Sequence, residues 1–229
     1  KSIIFENHLQ KNKINHFIQP RINHNIIYEG NQYHNRYTGM DSILYKLSNN
    51  NNNNGNEAID EEIINMIRNV SKDIFANCIF HIANDNGIEE KLFEITINNH
   101  ILTILNASDK IADLTFIDTQ SNNNLSTKII LEEADLIVVN LSQNPDLLYS
   151  FFRSYKSIIS RCLFLLSNYD NNSYFNLEKI SQMFSIDKSN IATVPYSREY
   201  KEALKHGQVV SFIISNYKCD LENRNFYFM

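Results

Sequence analysis

The sequence predicts an α/β fold of three layers, a mostly parallel sheet with helices on both faces. Three observations carry that expectation. Residues 114–117 form a short apolar run closed by Asp118, residues 136–139 form another closed by Asn140, and residues 125–134 between them have helical spacing. Apolar runs that stop at a polar residue and alternate with helices indicate parallel strands buried on both faces. Ligands of such sheets bind beyond the carboxyl ends of the strands, where Asp118 and Asn140 fall.

Taken in order, residues 2–5 are apolar and β-prone and lead into Glu6, Asn7 and His8, a first strand with a polar, ligand-facing end. Residues 11–36 are polar and read as loop with a short helix at 14–18. His8, His16, His24 and His34 lie eight to ten residues apart, not at the i, i+3 or i+4 spacing that puts two ligands on one helix face, so they read as solvated or loop histidines. Residues 40–47 are an amphipathic helix with Asp41 as its cap. The Asn-rich run 48–56 cannot bury apolar area and reads as a flexible exposed loop. Residues 57–75 are expected to form one helix, with Ile59, Ile63, Met66, Ile67 and Val70 on one face and acidic residues in its first turn.

Residues 78–82 are the second strand and 84–87 its turn. The β-branched content of 88–110 leaves helix and strand both open, and the crossover needed before the 114–117 strand selects helix. After Pro145, residues 146–159 are helical, with Leu147, Leu148, Phe151, Phe152 and Tyr155 as the buried face. Residues 161–166 are a strand ending at Ser167-Asn168-Tyr169-Asp170, residues 176–184 a helix, and 191–194 the last strand, stopped by Pro195 and Tyr196. Residues 197–206 form a helix whose end Gly207 marks, and 209–217 another. The tail 218–229 ends in Phe-Tyr-Phe-Met, too short an apolar turn for a membrane anchor.

At 229 residues the chain can bury a core as one domain spanning 1–229. It is 43% hydrophobic and 21% charged with a net charge of -5, which does not indicate a generally basic nucleic-acid surface. Lys201, Lys205, Lys218 and Arg224 keep nonspecific DNA binding as a reading beside that of a solvated helix face. Cys78, Cys162 and Cys219 are odd in number, far apart and without a CxxC pair, which argues against a disulfide framework and against a zinc site and fits a reducing cytoplasm. No apolar run reaches the roughly 18 residues that span a bilayer. The chain opens on Lys1 and passes straight into a strand, which leads to the expectation of an upstream segment.

The polar strand ends, Glu6-Asn7, Asp118, Asn168 and Pro195-Tyr196, are expected on one edge of the sheet. A carboxylate at the tip of a strand, preceded by Leu-Thr-Phe-Ile, has the form of a Walker B acid, which orients magnesium, usually through water. The pattern alone is not specific. Phe-Ile-Asp-Thr-Gln at 116–120, followed by Ile-Leu-Glu-Glu-Ala-Asp-Leu-Ile-Val-Val-Asn at 130–140, resembles the ParA/MinD family of deviant-Walker ATPases. Cys-Leu-Phe-Leu-Leu-Ser-Asn-Tyr-Asp at 162–170 is similar to the family strand ending in Asn-Arg-Tyr-Asp, whose Asn contacts adenine. Val-Pro-Tyr-Ser at 194–197, then Glu199, Ala203 and Gly207, resembles the base loop and the helix after it, and 2–10 resembles the second strand with its switch-like loop.

The resemblance, spread over most of 2–216, implies a P-loop NTPase-like fold that lacks its first strand–P-loop–helix unit, with ATP and Mg2+ as cofactors. It places the metal at Asp118 and the adenine at Asn168, Pro195 and Tyr196. It further implies a nucleotide-sandwiched homodimer that positions a plasmid, a septum or a secretion or pilus machine, with a protein activator. The family's glycine-rich phosphate loop and its lysines are not in this sequence: none of Gly30, Gly39, Gly55, Gly87 and Gly207 is followed by Lys, and there is no GxxxxGK[ST]. Gln120-Ser121-Asn122 stands where the family has Pro or Gly, and Glu6-Asn7 where it commonly has Asp. The expectation is therefore that roughly 30 upstream residues, the size of a strand–loop–helix unit, hold the phosphate loop, and that these 229 residues alone do not hydrolyse ATP. The alternative is a non-catalytic scaffold on the same fold that binds a protein partner.

Overall fold

The computed structural model describes residues 1–9, 14, 39–49, 56–75, 78–82, 88–120 and 124–217. The chain divides into two compact units, Lys1–Glu132 and Glu133–Met229. The sequence-predicted helix at 14–18 beyond Ile14, the Asn-rich stretch 50–55, the turn 84–87, the tail and His16, His24 and His34 lie outside the described residues.

In the first unit β1 (Ser2–Asn7), β2 (Lys72–Phe75), β3 (Ile79–Ile82) and β4 (Leu114–Thr119) form one sheet in the order β2-β3-β1-β4. β1 runs parallel to β3 and β4, while β2 is antiparallel to β3. Helices α1 (Gly39–Asn49), α2 (Asn56–Val70), α3 (Glu90–Asp109) and α4 (Leu125–Glu133) complete the unit. Its core is one cluster in which Ile3 and Phe5 of β1 meet Leu44, Ile63, Ile97 and Ile101 of the helices. β1 is apolar because it lies inside the sheet, with a parallel neighbour on each side.

The second unit holds a parallel sheet in the order β5-β6-β7, from β5 (Ile137–Leu141), β6 (Cys162–Tyr169) and β7 (Ile191–Pro195). Its helices are α5 (Pro145–Ser154), α6 (Leu177–Phe184), α7 (Arg198–Lys205) and α8 (Val209–Tyr217). Three of these starts carry a side-chain cap: Asn144 accepts from the Asp146 and Leu147 amides, Asn176 from Lys179 and Ser197 from Tyr200. Pro145 occupies the first turn of α5, where its missing N–H costs nothing. Phe152 stacks on Phe184 at 4.1 Å between centroids and packs against Phe164 of β6 at 5.3 Å, tying α5 and α6 to the sheet. Gly207, at φ 64°, follows α7, as its position in the sequence suggests.

Four expectations change. The helix expected over 57–75 ends at Val70, and Lys72–Phe75 leaves it to pair with β3; sheet pairing overrides a helical periodicity that Ile67, Val70 and Ile74 continue without a break. Asp41 is not a cap, because α1 already begins at Gly39 and Asp41 is buried in its first turn. The helix expected over 146–159 ends at Ser154, and Leu147 faces solvent while Leu148 and Phe152 are buried. The runs at 114–117 and 136–139 are not buried on both faces: Leu114 is 51% and Phe116 52% exposed, and Leu136 and Val138 are exposed too. Among the described residues β4 and β5 are each the edge strand of their own sheet, and a strand with a neighbour on one side only leaves alternate side chains less covered.

Phe5 is fully buried at the centre of the first unit's core. Phe5→Ala is expected to lower unfolding free energy by about 3–5 kcal/mol in a denaturant titration; a loss under about 1 kcal/mol would contradict this description of the core.

Candidate functional site

The parallel register of β1 and β4 sets Glu6 opposite Asp118 and Asn7 opposite Thr119. Side chains alternate along a strand, so Glu6 and Asp118 share one face and Asn7 and Thr119 share the other, while His8 follows in the bend after β1.

On the Asn7 face the carboxamide is a hub. Its Nδ2 lies 3.2 Å from Thr119 Oγ1, 3.2 Å from Ser126 Oγ and 3.4 Å from Thr127 Oγ1, and the two threonine hydroxyls are 3.1 Å apart. An amide nitrogen has two hydrogens, so it serves two of these three acceptors at a time. The Ser126 amide in turn donates to Asn98 Oδ1 of α3 at 2.8 Å. The end of β1, the end of β4 and the first turn of α4 are thus held by one buried side chain. Asn7 Oδ1 has no hydrogen-bond partner among the described residues. Asn7 lines a cleft of about 140 Å³ together with His8, Glu90, Glu94, Gln120 and Asn124.

On the other face Glu6 is fully buried. Its Oε1 accepts the Ile14 amide at 2.7 Å, and its Oε2 lies 3.8 Å from Nε2 of His81, itself 2% exposed. His8 is buried, with Nε2 at 3.2 Å from Oδ2 of Asp118, whose side chain is 55% exposed. The ligand atoms of Glu6, His8 and Asp118 all lie within 4.8 Å of one another. His8, read from its spacing as a loop or solvated histidine, does lie in the bend after β1 but is buried in this cluster and not solvated. Its partner Asp118 is 110 residues away, which no local spacing reveals.

In the second unit the register of β6 and β7 shifts between Ser167 and Tyr169, so Asn168 is the extra residue of a bulge, at φ 51°. Asparagine is among the few side chains that accept this left-handed backbone at low cost. Tyr169 pairs with Pro195, which sets Asn168 beside the end of β7, and Tyr196 follows with an exposed ring under Nζ of Lys201 at 5.6 Å from its centre. Gln143, which the sequence did not single out, braces the loop after β6: its Nε2 donates to the carbonyls of Asp170 and Phe175, each at 2.9 Å, and its Oε1 accepts the Asp170 amide at 2.7 Å. Lys205 is ion-paired with Glu202 at 2.7 Å; Lys218 and Arg224 lie outside the described residues. The Cys162 thiol is buried, its pKa pushed up by burial against the pull of Arg161, as suits an inert packed thiol.

The sequence-predicted residues therefore fall in two groups. Asp118 joins Glu6 and His8 in the first unit, and Asn168, Pro195 and Tyr196 come together in the second. Taken alone Asp118, an oxygen donor half exposed at a strand end, suits Mg2+. The set of three does not, because Mg2+ takes oxygen ligands and His8 presents a nitrogen.

No family model and no curated protein sequence matches the chain. Solved structures do. A ParA family ATPase from Chlorobium tepidum TLS is 13% identical with a TM-score of 0.61, over 98% of this chain and 83% of its own. The MinC:MinD cell division protein complex of Aquifex aeolicus gives 10% identity and a TM-score of 0.57, covering 94% of this chain and 77% of that one. The septum site-determining protein MinD complexed with Mg-ADP, from Pyrococcus horikoshii OT3, gives 10% and 0.52, over 100% of this chain and 87% of that one. At these identities the likeness is one of fold. The chain has the α/β architecture of the ParA/MinD P-loop NTPases, with mostly parallel sheets and helices on both sides.

Asn7→Ala leaves hydroxyls of Thr119, Ser126 and Thr127 without their shared donor and is expected to cost about 1–3 kcal/mol of stability. A denaturation midpoint unchanged from the parent would remove Asn7 from this role.

Proposed function

We propose that the chain is an adenine-nucleotide-responsive switch of the ParA/MinD kind, with the base held in the second unit by Asn168 and the Pro195-Tyr196 segment. The observation that carries this reading is the bulge at Asn168. A left-handed residue inside a strand presents an exposed carboxamide beside the end of β7, where the family resemblance puts the residue that contacts adenine. An Asn side chain offers a donor and an acceptor together, which suits the edge of a base, and the exposed Tyr196 ring gives an apolar surface for its face.

Support also comes from the position of β4. The strand that bears Asp118 is the edge of its sheet, with Leu114 and Phe116 half exposed, as suits a sheet in which one more strand belongs beside the acid-bearing one. The sequence holds no GxxxxGK[ST], so phosphate binding and hydrolysis are not assigned to these residues. In this proposal the switch works by nucleotide-dependent self-association in the cytoplasm, with a protein partner, in positioning a plasmid, a septum or a secretion or pilus machine. The MinD of one similar structure is in complex with MinC, and among the described residues no helix is long and apolar enough to cross a membrane.

A second reading, a non-catalytic scaffold, is favoured by one observation. His8 sits 3.2 Å from Asp118 and engages the carboxylate that the family resemblance gives to magnesium.

Calorimetric titration with ADP separates the two. The switch reading expects binding that Asn168→Ala weakens about three- to ten-fold, the worth of one hydrogen bond. Binding indifferent to Asn168→Ala would dismiss this base site, and no binding at millimolar ADP would leave the scaffold.

A further inference from the structure

The Glu6, His8 and Asp118 cluster suits a different ion from magnesium. We propose that these three residues form a binding site for a divalent transition ion of the zinc class, independent of any nucleotide. The absence of a cysteine pair, which argued against zinc in the sequence, excludes only thiolate sites; one imidazole with two carboxylates is a donor set that Zn2+ takes.

Topology makes the site. Glu6 near the end of β1 is the cross-strand partner of Asp118 on β4, and His8 follows in the bend just past β1, so the strand pairing brings the three donors together. Two of the three, Glu6 and Asp118, are carried on strands and so are fixed more firmly than donors on loops. With zinc bonds of about 2.0–2.2 Å, neighbouring ligand atoms stand roughly 3–4 Å apart. The 3.2 Å from His8 Nε2 to Asp118 Oδ2 falls in that range, and the set as a whole, within 4.8 Å, closes on an ion with small side-chain rotations.

The surroundings supply an independent observation. His81 is 2% exposed, and its Nε2 has no hydrogen-bond partner among the described residues. That nitrogen lies 3.8 Å from Glu6 Oε2, while Glu6 Oε1 holds the Ile14 amide. A buried imidazole nitrogen this close to a carboxylate is placed to become the outer-shell partner that orients a metal-binding carboxylate. Glu6 and His8 are buried, as a site that desolvates its ion requires, whereas the half-exposed Asp118 gives an entry path. Three protein donors on a four-coordinate ion leave one position for water.

The test uses the 229-residue chain, stripped with a chelator and free of nucleotide, titrated with Zn2+ by calorimetry. One Zn2+ per chain is expected, not displaced by millimolar Mg2+. His8→Ala and Asp118→Asn should each weaken it at least ten-fold, and His81→Ala, acting only on Glu6, about 10–100-fold. Circular dichroism reports whether each variant folds. X-ray absorption at the zinc edge of the unmutated chain needs no variant and should show one imidazole among oxygen donors. Sulfur in that spectrum, binding unchanged in His8→Ala and Asp118→Asn, or no stoichiometric binding would each overturn the site. Zinc binding without ADP binding would support this site while removing the nucleotide reading, so the two stand or fall separately.

Discussion

The parallel pairing of β1 with β4 is the constraint on which the first unit's chemistry depends. It sets Glu6 against Asp118 and Asn7 against Thr119, sorting a polar strand end into two faces with different work. One face binds elements together through the Asn7 carboxamide, and the other gathers two carboxylates and an imidazole. A slip of one residue would exchange the faces, putting Asp118 among the hydroxyls and Thr119 beside His8. The apolar residues of β1 oppose such a slip, because Ile3 and Phe5 can bury in the core only in this register.

Burial gives the cluster its chemical character. A carboxylate such as Glu6, removed from water, is tolerated only with compensating donors or cations. The Ile14 amide donates to it, His81 lies 3.8 Å from it, and His8 and Asp118 gather beside it. The second unit uses a different device. There a bulge places a left-handed Asn at a strand end, and Gln143 ties down the loop that follows, so precision comes from backbone geometry and not from charge. The likeness to the ParA and MinD structures is one of fold, and at 10–13% identity it leaves the identity of the ligands to these local features.

Much of the architecture was legible because apolar runs stopping at Glu6, Asp118, Asn140 and Ser167 are a strong local signal, and Pro145 before one helix and Gly207 after another mark helix ends in the same way. β2 was not legible: Ile63, Ile67, Val70 and Ile74 keep a helical period across the break, and only pairing with β3 ends it. The half-exposed faces of β4 and β5 were equally hidden, since an apolar run does not say which neighbours cover it. Asp118 and Asn168 were singled out by their positions and the resemblance, whereas the contacts of His8, His81 and Gln143 are with partners far away in sequence. Local spacing carries no trace of such contacts.

The central claim, that the β1–β4 register assembles a ligand site from Glu6, His8 and Asp118, is tested most directly by an anomalous difference map at the zinc edge from crystals equilibrated with Zn2+. The account expects one dominant peak within bonding distance of all three side chains. Peaks confined to surface residues such as His206, with His8 still directed at an ion-free Asp118, would contradict it.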